Sequence, residues 1–123
     1  MFQDGNAKAA AELYVATIPD SHVAMMEFYG PEAGDREGAV AGAMIVLAGQ
    51  RVRLFDSPPV HEFAFTPSIS LFVDLESAAE VDHVFTALSE GGTTLRALES
   101  YPFSERFGWC NDRFGISWQI SLT

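Results

Sequence analysis

The side chains best able to do chemistry are His22, His61, His83, Cys110, the Asp112-Arg113 pair and the polar members of two alternating runs. The histidines show no ligand spacing, such as the i, i+4 pair of a helix. A structural or surface role is expected of each, with His22 opening a strand, His61 in a loop and His83 on the solvent side of a helix. Cys110 is the single cysteine, so it makes neither an internal disulfide nor a multi-cysteine metal site. No histidine lies near it in sequence to activate it, and a buried strand cysteine is expected. Asp112-Arg113 falls in a turn, where Asp is expected to cap backbone amides and Arg to pair with an acid.

The alternating runs say more. Over Ser68–Asp74, alternation puts Ile69, Leu71 and Val73 against helices and turns Ser68, Ser70 and Phe72 the other way. Over Ile116–Leu122, the residues Ile116, Trp118 and Ile120 face inward, while Ser117, Gln119 and Ser121 face the opposite side. Each strand thus has one apolar and one small polar face. If the sheet curls, the polar face is a wet groove or a ligand pocket.

The elements that would hold these residues come in two similar sets. A helix over Ala7–Thr17, with Ala10, Leu13, Tyr14 and Thr17 on one face, follows Asp4-Gly5-Asn6, which are expected to be its turn and cap. Strands follow at His22–Tyr29, Ala39–Leu47 and Arg51–Asp56, with Ala48-Gly49-Gln50 as a hairpin turn. The second set opens with the Ser68–Asp74 strand. Ser77-Ala78-Ala79-Glu80 is a capping box in which hydroxyl and carboxylate satisfy orphan amides. The helix runs to about Ser89 with Val81, Val84, Phe85 and Leu88 buried, and Gly91-Gly92 ends it. Strands follow at Thr94–Leu98, Phe107–Cys110 and Ile116–Leu122. Phe2-Gln3-Asp4 before the first helix matches Phe72-Val73-Asp74 before the second, so a first strand is expected at the very start, with residues upstream of Met1 possible parts of it. The fold class is α+β: two strand–helix–three-strand (βαβββ) modules, about 1–59 and 60–123, in a single domain.

Ten Phe, three Tyr and two Trp in 123 residues need a core, a pocket or an interface. A second copy of the chain is an expected partner, since small apolar-rich chains often bury surface that way. The net charge of -10 and the scattered basic residues argue against nucleic acid and anionic membrane. No leader pattern opens the chain and no apolar run is long enough to span a bilayer, so a cytoplasmic location is expected.

Four segments resemble the PhnB-like branch of the vicinal oxygen chelate superfamily, which includes glyoxalase, bleomycin-resistance and extradiol dioxygenase relatives. They are Ala11-Glu12-Leu13-Tyr14 with Ile18-Pro19-Asp20-Ser21, Ser68 to Val73, Val81 to Leu88 with Gly91-Gly92, and Gly108 to Ile120. The last, of the form GW-x-x-DRFG-x-SWQ, is the most specific. Members of this branch often carry the label 3-demethylubiquinone-9 3-methyltransferase. The chain has no glycine-rich strand-to-helix loop and is short for an α/β methyltransferase, so its residues give that label no support.

The resemblance implies that the two βαβββ modules form a half-open curled mixed sheet with a pocket on its concave side, and a homodimer, in relatives often formed by exchanging modules. It places Arg53 and Phe55 on the concave side, with Val52 and Leu54 packed. The pocket lining expected is Phe2, Arg53, Phe55, Ser68, Ser70, Phe72, Trp109, Ser117 and Gln119. Trp109 is the tryptophan placed to reach a rim, and Trp118 belongs to core or interface. In metal-dependent relatives a carboxylate commonly stands at Gln119 and a histidine near Ser68, with a further ligand at or before Met1. Gln and Ser are poor ligands for zinc or iron, so no metal and no cofactor are expected. Three readings stay open. The first is a metal-free protein that binds an unidentified small molecule. The second is an enzyme in which Arg53, Gln119, Ser68 and Ser70 polarise a substrate oxygen, or one with an unplaced metal. The third is a structural or regulatory dimer with a vestigial pocket.

Overall fold

In the computed structural model, which describes residues 1–123, the alanine-rich run Ala7–Thr17 is helix α1. Its buried face is Ala7, Ala10, Ala11, Tyr14 and Thr17. Leu13, expected there, is only half-buried, since the buried face is centred on the alanines and Tyr14. Strands β1 (His22–Phe28), β2 (Val40–Leu47) and β3 (Gln50–Leu54) follow, with a 3-10 helix at Pro31–Arg36 between β1 and β2. They form an antiparallel sheet in the order β1-β2-β3. The β2–β3 hairpin turns at Ala48 (φ 49°) and Gly49 (φ 89°), the positive φ pair that suits strand twist. Ala43, Ile45, Leu47 and Leu54 are buried; burial of a side chain such as Ile45 is worth roughly 1.5–3 kcal/mol.

The start of α1 corrects the sequence expectation. Asn6 makes no side-chain cap. The cap comes instead from Asp56, whose Oδ1 accepts from Ala7 N (3.0 Å) and whose Oδ2 accepts from Val40 N (2.8 Å). A carboxylate distant in sequence thus does what the local turn residues do not. Phe2-Gln3-Asp4 is likewise not a full strand. Only Phe2 pairs, in an isolated parallel bridge to Asp56. Gln3 uses its side-chain amide, donating to Phe63 O (2.9 Å) and accepting from His61 N (2.9 Å), and so clamps the loop after β3.

The chain divides into two compact units, Met1–Phe63 and Ala64–Thr123. In the second, β4 (Leu71–Leu75), α2 (Ala78–Ser89), β5 (Thr93–Tyr101), β6 (Ser104–Asn111) and β7 (Ser117–Leu122) follow in order. The sheet runs β4-β7-β6-β5, with β4 parallel to β7 and the other pairs antiparallel. Each half thus repeats a strand, a helix and three strands, the first strand of the first half reduced to one bridge. Ser77 caps α2 by accepting from Glu80 N (3.1 Å), but the Glu80 carboxylate takes the Ser77 hydroxyl (3.3 Å) rather than a backbone amide. Val81, Val84, Phe85 and Leu88 are the buried stripe.

Helix α2 lies mainly over β6 and β7. A Cβ on Gly108 would sit 2.5 Å from the Phe85 ring, so glycine lets helix and sheet meet there. Because α2 leaves the beginning of β4 uncovered, Ile69 is 81% exposed and Leu71 38%. The expected strand over 68–74 accordingly starts only at Leu71, and the packing of Ile69 on a helix is not found. Thr66 and Ser68 join hydroxyls (2.6 Å) in the preceding turn.

Candidate functional site

The faces of the second sheet follow from its register. Leu71, Trp118, Cys110 and Thr94 are successive partners across β4, β7, β6 and β5. Val73, Ile120 and Gly108 form the next row. Trp118, Ile120 and Cys110 are fully buried, and this is the face under α2. Burial, and then the Asp112 charge, push the Cys110 thiol up to about 12. It is a packing residue and a poor nucleophile.

The opposite, open face carries the row Phe72, Gln119, Trp109, Arg96. Phe72 is 54% exposed. Beside this row, Trp109 Nε1 donates to Ser117 Oγ (2.8 Å), and Ser117 Oγ joins Ser70 Oγ (2.7 Å). On the other side Phe107 meets Tyr101 and Phe103 edge-on, at 5.6 Å and 4.9 Å between centroids, and lies 6.2 Å from Phe72. A depression of about 400 Å³ lined by Tyr101, Phe103, Glu105 and Leu122, among others, adjoins these rings.

The structure therefore brings together Ser70, Phe72, Trp109, Ser117 and Gln119 on one sheet face. Ser68 stays outside, in the turn before β4. In the first unit Arg53 pairs with Met44, and Met44 with Met25, on the side of the sheet away from Ala43 and Ile45. Phe55 is 43% exposed, and Phe2 is buried in its bridge to Asp56. Tyr101, Phe103, Phe107 and Asn111 lie on or beside this face and are not among the expected lining residues. Extending the alternation of Trp109 by two residues in each direction would have found Phe107 and Asn111.

The turn residues divide. Asp112 is buried and its Oδ1 accepts from Phe114 N (2.8 Å) and Ile116 N (3.1 Å), while Oδ2 accepts from Trp118 Nε1 (2.9 Å). Arg113 does not pair with an acid: the chain's ion pairs are Lys8–Glu12 and Arg106–Asp82. The carboxylate beside it in sequence, Asp112, is turned onto the turn amides and the Trp118 indole.

The donor set does not suit a divalent ion. Phe2 bridges Asp56 in parallel as Phe72 pairs with Gln119, so Asp56 and Gln119 hold repeat-related positions. Both Asp56 oxygens are engaged by backbone amides, and Gln119 is neutral. No group of three or more His, Cys, Asp or Glu side chains is arranged to hold a metal.

A family model described as 3-demethylubiquinone-9 3-methyltransferase matches residues 1–121. The chain belongs to that family. A putative 3-demethylubiquinone-9 3-methyltransferase, PhnB protein, from Bacillus cereus is 40% identical, with a TM-score of 0.94 over 100% of this chain and 95% of its own. Protein PA1353 from Pseudomonas aeruginosa is 25% identical, with a TM-score of 0.86 over 99% and 92%. A glyoxalase-related enzyme from Fulvimarina pelagi is 15% identical, with a TM-score of 0.58 over 99% and 82%, and shares the fold. No curated protein sequence matches. The chain is thus PhnB-like, and its α+β fold is the one expected from the resemblance to the vicinal oxygen chelate superfamily. The family's description names a methyl transfer, but neither sheet is the doubly wound parallel sheet, with its glycine-rich turn, on which nucleotide-type cofactors are usually held.

Proposed function

We propose that the protein binds a small molecule on the open face of the second sheet, without a metal, and works as a homodimer. One observation carries the reading. Phe72, Gln119 and Trp109 form a continuous apolar-and-amide row, edged by the Trp109–Ser117–Ser70 hydrogen-bond chain. A half-exposed ring beside fixed polar groups is the usual composition of a ligand site. Of the other expected lining residues, Ser68 stands in the turn before β4, while Phe2, Arg53 and Phe55 belong to the first unit and are not part of this proposal. The dimer is supported by the exposed large apolar side chains, among them Val23, Met25, Phe28, Ile69 and Phe103, which a second copy would cover.

A thermal-shift screen of planar aromatic compounds tests the site. Binding to the native state raises apparent stability, by about 2.7 kcal/mol at a hundredfold excess over Kd. Hits are expected, and Phe72→Ala or Gln119→Leu should abolish their shifts. Hits that survive both substitutions would place the ligand elsewhere.

A further inference from the structure

Asn111 ends β6 directly between Thr93 and Ser117. It stands two residues from Trp109, whose indole bonds Ser117, so Asn111 shares the open face. Its Oδ1 is buried and has no hydrogen-bond partner. Such orphans are rare in native interiors and call for an explanation. The hydroxyls beside it leave the opposite kind of surplus. Ser117 Oγ accepts from Trp109 Nε1, and Ser117 and Ser70 share one hydrogen bond. Two hydroxyls bring two hydrogens; one lies between them, so one remains to be donated. An unused acceptor on Asn111 and an unused donor on the Ser70–Ser117 pair therefore sit side by side, Asn111 and Ser117 being direct partners of one ladder. Directly opposed side chains of an antiparallel pair have Cβ atoms about 4.5–5.5 Å apart, a span that the diverging bonds of one cis-amide edge can bridge.

We propose that Asn111 and the Ser70–Ser117 pair form a recognition edge for planar ligands that carry an adjacent N–H and C=O, as in a lactam. The N–H donates to Asn111 Oδ1, the C=O accepts the spare hydroxyl hydrogen, and the ring lies along Phe72 and Trp109. This rests on the open face being the ligand site, and it adds the chemical class that the face selects.

Calorimetric titration with carbostyril (a bicyclic lactam), its N-methyl derivative and naphthol tests it. Carbostyril should bind roughly tenfold or more tightly than the N-methyl derivative, because a site built to hydrogen-bond a group rejects the analogue lacking it. Asn111→Leu should erase that preference, and should also raise the melting temperature by removing the orphan acceptor. Asn111→Asp, which keeps an acceptor, should retain the preference and covers the case in which the leucine variant does not fold. Equal binding of all three compounds, or a preference that survives Asn111→Leu, overturns the donor–acceptor edge and leaves the ligand face standing. Failure of all three compounds to bind overturns both.

Discussion

Asp112 satisfies two turn amides and the Trp118 indole at once. Each buried donor left without a partner costs about 1–3 kcal/mol, so Asp112→Ala should lose roughly 3 kcal/mol or more in urea unfolding. The capping role was legible because an Asp two residues before a turn amide is a local pattern; the indole bond was not, since it depends on how β7 returns past the turn. Cys110 makes a second prediction. Its thiol rises from 9.0 to about 12 in the folded chain. Below pH 9 both states keep the proton, so stability does not depend on it. Between about 9 and 12 the unfolded chain releases the proton and the folded chain holds it, so stability falls as pH rises through that window. Urea midpoints measured across it should decline, and Cys110→Ala should flatten the decline.

Gly108 shows how an element depends on a missing side chain. Gly108→Ala would drive a methyl into the Phe85 ring, and overpacking of this kind costs about 1–3 kcal/mol; an unchanged thermal midpoint would contradict this contact between α2 and β6. Both helices, their apolar stripes and the Ser77 cap could be read from the chain because helix periodicity and capping act over three or four residues. The cap of α1 could not, because Asp56 reaches it from 49 positions away. The start of β4 could not either. Alternation gives Ile69 and Leu71 a common face, but only the placement of α2 decides whether that face is covered. The same distinction governs the site. Alternation grouped Ser70, Phe72, Ser117 and Gln119 on one face, and carried two residues beyond Trp109 it would have added Phe107, whereas Tyr101 and Phe103 reach Phe107 through the β5–β6 pairing that no local pattern states.

At the scale of the molecule, the proposed dimer should elute with a light-scattering mass twice the 13.4 kDa of the chain, and substituting the exposed Ile69 with a charged residue should shift it toward monomer. Protein prepared without a histidine tag should carry no stoichiometric metal, because the two repeat-related positions offer only a backbone-bound Asp56 and a neutral Gln119. The central claim is that the open face of the second sheet is where a ligand binds, and the two tryptophans report on it separately. Trp109 lies on that face with its indole on Ser117, and Trp118 is fully buried on the other face with its indole on Asp112. The decisive measurement is the nitrogen-15 resonance of each indole during titration with carbostyril and with naphthol. Binding should move the Trp109 signal to saturation and leave Trp118 in place; a Trp109 signal that stays fixed while a ligand demonstrably binds would contradict the account.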